Sequence, residues 1–84
     1  MKQFPKLIEN QVAILWSEYS TGHVLDINFN LVLRDDQEVY LICESFTEAF
    51  RKATSLLNER NNIECTIYDQ NQNVLKYLPA SSVR

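Results

Sequence analysis

One stretch of the chain has helical periodicity, and it constrains the rest more than any other feature. From Ser45 the sequence runs SFTEAFRKATSLLNERNN, with Phe46, Ala49, Phe50, Ala53, Leu56 and Leu57 recurring at three- and four-residue spacing. That spacing makes one apolar stripe, while Glu48, Arg51, Lys52, Ser55 and Glu59 fill the polar side. Ser45 followed three residues later by Glu48 fits a capping box, in which the serine hydroxyl accepts from the third helical amide while Glu48 reaches back to the Ser45 amide. Asn61 or Asn62 is placed to supply the left-handed residue that ends a helix. A single one-sided helix must bury its stripe against another layer, and the rest of the chain reads as strands and turns.

The stretch VAILWSEY predicts a first strand over 11–19, with Val12, Ile14 and Trp16 on one face and Ala13, Leu15 and Tyr19 on the other. Ser20-Thr21-Gly22-His23 holds the only glycine and reads as a hairpin turn. VLDINFNLVL then alternates strictly: Leu25, Ile27, Phe29, Leu31 and Leu33 against Asp26, Asn28 and Asn30. Such alternation predicts a second strand with one buried and one wet face. A polar turn, Arg34 to Glu38, leads to a third strand over 39–43. After the helix come strands over 63–68 and 74–78, joined by Asp69-Gln70-Asn71-Gln72-Asn73. In that turn Asp69 is placed to bond the backbone two residues on, and Asn71 to take the left-handed conformation. The expectation is an α+β domain of order β-β-β-α-β-β: a mostly antiparallel five-stranded sheet with one helix on one face. Residues 1–84 form one domain, with 1–10 as an N-terminal segment and 80–84 as a frayed tail.

Composition narrows the function classes. A net charge of −3 with scattered Lys and Arg gives no basic stripe for phosphate, so nucleic acid is a disfavoured partner. No apolar run approaches the roughly 20 residues of a membrane span, and no apolar signal region follows Met1-Lys2-Gln3-Phe4-Pro5. The expected setting is the cytoplasm, away from membranes. There, Cys43 and Cys65 are expected as buried free thiols, and neither sits in a CxxC pair.

Chemistry-bearing motifs are scarce. His23 follows the turn glycine and reads as a solvated loop residue. Asp35, Asp36 and Glu38 lack the alternating oxygen ligands and central glycine of a calcium loop. The serines lack a nucleophile-elbow context, and one glycine cannot build a phosphate-binding loop. No catalytic residue, metal ligand or cofactor site is expected, and the chain is not expected to be an enzyme.

What remains is surface. Five strands span roughly 24 Å, and a helix about 10–12 Å across covers about half of one face. The strands over 11–19 and 39–43 carry apolar side chains on both faces, which leaves an aromatic-rich patch uncovered. The candidate contact residues are Leu15, Trp16, Tyr19, Tyr40, Ile42, Tyr68 and Tyr77, with Asp35, Asp36 and Glu38 as an acidic patch that steers a basic partner. The expected function is a small acidic protein-interaction module. It acts through an exposed sheet face or edge, on a second copy of itself or on a larger protein in the manner of an inhibitor or immunity protein. The alternatives are a ligand- or nucleic-acid-binding regulatory domain using sheet aromatics, or a face covered by Phe4, Leu7 and Ile8.

Overall fold

The computed structural model describes residues 4–80. Its elements follow in the order β1 (Val12–Glu18), β2 (Leu41–Cys43), α1 (Phe46–Glu59), β3 (Ile63–Tyr68) and β4 (Val74–Leu78). The strands form one antiparallel sheet in the order β2-β1-β3-β4. β2 and β3 both run antiparallel to β1, so they are parallel to each other and α1 is the crossover between them. The α+β class is as expected, and among the described residues there is one helix, as expected, but a sheet of four strands and not five.

The core lies between α1 and one face of the sheet. Val12, Ile14 and Trp16 of β1 meet Cys65 and Ile67 of β3, with Ala49, Ala53 and Leu57 from the helix. Alternation along each strand sends Ala13, Leu15, Thr66 and Tyr68 to the other face. The predicted helical stripe is only partly buried: Phe46 and Phe50 are about two-fifths exposed and stack on each other, centroids 5.9 Å apart. Small Ala49 and Ala53 let the helix approach the sheet closely, and the bulkier phenylalanines flank that contact line. The serine half of the expected N-terminal cap is present, with the Glu48 amide donating to Ser45 Oγ at 3.1 Å. The C-terminus differs from expectation. The helix ends on Arg60 in an extended conformation, its amide bonded to Leu56 O, and neither Asn61 nor Asn62 has positive φ.

The main correction concerns the stretch expected as the second strand. Val24 bridges to Ser17, and the Leu25 amide donates to Trp16 O at 3.1 Å. β2, shorter than the expected 39–43, pairs farther along the same side of β1, from Ile14↔Leu41 to Val12↔Cys43. Residues 24–25 and β2 therefore share one lane beside β1, and residues 26–40 leave that lane and return to it. The neck of this Ω-shaped excursion is closed by Ile27 N donating to Glu38 O at 2.8 Å.

Asp26 explains why alternation did not make a strand. Its carboxylate Oδ1 accepts from the amides of Asn28 (2.8 Å) and Asn30 (2.9 Å). A side chain that caps amides two and four residues on has its own period of two, and the sequence DINFN carries that period in place of a pleat. The β3–β4 turn repeats the device. Asp69 Oδ1 accepts from Asn71 N (2.8 Å) and Asn73 N (2.9 Å), in the sequence DQNQN. In both loops the first residue's amide donates to the carbonyl of the fifth, and the fourth residue is left-handed: Phe29 at φ 67° and Gln72 at φ 63°. The left-handed residue of the second loop is thus Gln72, not Asn71.

The tail expected from residue 80 begins differently: Ala80 is fully buried, and 81–84 lie outside the described residues. Of the N-terminal segment, residues 1–3 lie outside them as well.

Candidate binding face opposite the helix

The sheet register assembles the face away from α1. Ala13 pairs with Ile42 on one side and Tyr68 on the other, and Leu15 sits in a row with Thr66 and Tyr77. Tyr40 precedes β2 and reaches the same face. Phe4 packs edge-on against both Tyr40 (centroids 5.1 Å apart) and Tyr68 (5.8 Å), while those two rings stand 6.4 Å from each other. The N-terminal segment therefore covers part of this face, with Leu7 also buried, although Ile8 points to solvent. Tyr19, Ile42 and Tyr77 stay exposed, each by over two-fifths. Trp16 is placed elsewhere. It is 2% exposed on the helix side, stacked on Phe29, with its indole N–H donating to Asp26 O at 3.1 Å.

Beside the Phe4 contact lies a cavity of about 650 Å³. Leu15, Tyr40 and Tyr68 form its sheet wall, Leu31, Val32 and Leu33 its loop wall, and His23, Arg34, Asp35 and Gln72 are the polar residues around it. Three consecutive aliphatic side chains in a loop are unusual in that all are solvent-exposed: Leu31 47%, Val32 36%, Leu33 83%. A flexible loop would collapse such residues onto the core. Here Gln37 holds the backbone out. Its Oε1 accepts from Leu33 N (2.6 Å) and Arg34 N (2.8 Å), while its Nε2 donates to Leu31 O (2.9 Å) and Asp26 Oδ2 (2.7 Å).

Asp26 and Gln37 are the positioning residues that sequence reasoning missed. Asp26 is 5% exposed, and its acceptor bonds, first from the Asn30 amide and then from Gln37, hold its carboxyl below the usual range against the opposing effect of burial. The sequence does carry a signal for the loop: DINFN and DQNQN share one D-x-N-x-N pattern, and each is a turn capped by its aspartate. Gln37, eleven residues from Asp26, has no local signature.

The acidic stretch is less uniform than its sequence suggests, since Arg34 Nε lies 3.2 Å from Asp36 Oδ1 in an exposed pair. Among the described residues, no group of three or more His, Cys, Asp or Glu side chains is arranged to hold a metal ion, and no helix is long and apolar enough to cross a membrane. Cys43 and Cys65 are free, buried thiols. Burial, and then the charge of Glu64, pushes Cys65 up to about 11; burial and the Glu48 carboxylate raise Cys43. On the helix side of the molecule a second cleft joins Val12 and Phe46 to Leu75, with Glu9, Glu44 and Asp69 at its rim. The chain matches no protein-family model, no curated protein and no solved structure.

Proposed function

We propose that this chain is a protein-interaction module that grips its partner with the sheet face opposite α1, taking an apolar anchor side chain into the loop cavity. The observation that carries this reading is the cavity itself: about 650 Å³, lined by Leu15, Tyr40 and Tyr68 and by an aliphatic loop held away from the core. Interfaces concentrate their affinity where an aromatic or aliphatic anchor fills a desolvated pocket. Asp35, Asp36 and Glu38 stand on the same loop and favour a partner that is basic around its anchor. The one arginine around the cavity, Arg34, is paired with Asp36, and both Tyr40 and Tyr68 are already occupied on one side by Phe4, which leaves base stacking little support.

A photo-reactive side chain at position 33 tests the proposal in a lysate of the native host. The expected result is one predominant cross-linked protein whose capture falls about tenfold, equivalent to about 1.4 kcal/mol, when Tyr68→Glu closes the cavity with charge. Thr47→Glu, on the exposed side of the helix, is expected to leave capture unchanged. Equal capture by both variants, with folding confirmed by circular dichroism, refutes the reading. A second reading rests on the cavity volume, which falls within the range of small-molecule sites. Native mass spectrometry showing a stoichiometric apolar compound carried through purification would favour it.

A further inference from the structure

The two edges of the sheet are unlike, and the difference concerns a surface separate from the cavity. Along the β1 side, the outer lane is only three residues of β2 plus residues 24–25, interrupted by the 26–40 loop. No continuous run of free backbone is available there. β4 is a five-residue edge with no element pairing on its outer side among the described residues. It is also apolar and exposed: Val74 59%, Leu75 44%, Tyr77 47%. An edge of this kind is a template for another strand.

We infer that β4 pairs antiparallel with β4 of a second copy of this chain, about a two-fold axis through Tyr77, to make a continuous eight-stranded sheet. Symmetry selects the register. A two-fold perpendicular to the sheet keeps each face on the same side, so it must pass through a residue pair i↔i and not between neighbours. Centred on Lys76, it would set two ammonium groups opposite each other, which is destabilising. That register would also draw on Val74, where the β3–β4 ladder shifts between Ile67 and Tyr68. Centred on Tyr77, its three central pairs use residues 76–78, which keep regular register with β3, and the extra residue Leu75 falls at the margin. Tyr77 then meets its own copy as an aromatic cross-strand pair, and Lys76 lies beside Leu78 of the copy. Leu75 falls opposite Pro79, whose missing N–H ends the ladder. Tyr77 is already steadied by its hydroxyl donating to Glu64 Oε1 at 3.0 Å. One strand edge is at the small end of interface sizes, so the dimer is a weak, concentration-dependent one.

Cysteine trapping tests both the occupant and the register. In the Tyr77-centred pair, the two Cα atoms of position 77 stand about 4.5–5.5 Å apart, within disulfide reach. Under mild oxidation Tyr77→Cys is expected to give a covalent dimer and Lys76→Cys is not, while the native Cys43 and Cys65 stay buried. Sedimentation of the otherwise unaltered chain is expected to show a reversible dimer, weakened about tenfold or more by Leu75→Lys at unchanged circular dichroism. A strict monomer at every concentration, cross-linking of Lys76→Cys in preference to Tyr77→Cys, or occupation of β4 by a strand of a different protein each overturns the inference.

Discussion

Phe29 and Gln72 occupy equivalent places in two loops of the same geometry, and neither residue type favours the left-handed conformation it holds. Gln72 is exposed, and among the described residues the side-chain bonds of this turn run between Asp69, Asn71 and Asn73, so nothing there offsets its strain. Gln72→Gly is expected to stabilise the protein by up to about 1 kcal/mol, read from urea unfolding midpoints. Phe29→Gly should relieve the same strain yet destabilise. Its ring stacks on Trp16 at 5.2 Å and lies 3.7 Å beneath the Arg60 guanidinium. If both variants shift stability in the same direction, the compensation argument is wrong. The thiols make a second residue-scale prediction. With Cys65 near 11 and Cys43 also raised, iodoacetamide at mildly alkaline pH should modify neither in the native protein and both in denaturant, as scored by intact mass.

At the scale of elements, the 26–40 loop is tied together by two side chains, Asp26 and Gln37, which bond the backbone of Asn28, Asn30, Leu31, Leu33 and Arg34 and each other. Asp26→Asn replaces an acceptor-only carboxylate with an amide that has one oxygen acceptor and one NH2 donor, so the bonds from Asn28, Asn30 and Gln37 cannot all persist. Amide exchange in residues 27–38 is expected to accelerate at least about tenfold while α1 and β3 keep their protection. Uniform acceleration would mean instead that the loop is integral to global stability. The helix and the β3–β4 hairpin were legible in the sequence to the residue at their strand ends, because a capping serine, a 3.6-residue stripe and an asparagine-rich turn are local signals. The 24–33 stretch was not, because two mechanisms generate the same period of two. A pleated strand alternates by side-chain direction; an aspartate capping the amides at i+2 and i+4 alternates by hydrogen bonding.

For the whole molecule, the two capping aspartates link stability to acidity. Hydrogen bonds from amide N–H groups, first those of Asn30 and Asn73, hold the folded carboxyls of Asp26 and Asp69 below their ordinary value of 3.8. A depressed folded value adds stability that is fully present above the unfolded value and is lost as pH falls through the folded one. The urea midpoint should therefore be flat down to about pH 5 and fall below about pH 4, more shallowly in Asp26→Asn. A wild-type midpoint that rises on acidification would contradict this assignment.

The sequence by itself determined the α+β class, the helix and its serine cap, and the last two strands and their turn. Each of these depends on residues close along the chain or on a strand's simple alternation. Only the tertiary structure decided that residues 24–25 and 41–43 share one lane beside β1, that Trp16 is core, and that Phe4 covers Tyr40 and Tyr68. It also decided that Gln37 holds an aliphatic loop away from the core to form a cavity. Those features join residues distant in sequence, and their energies come from packing and from hydrogen bonds that no local pattern announces.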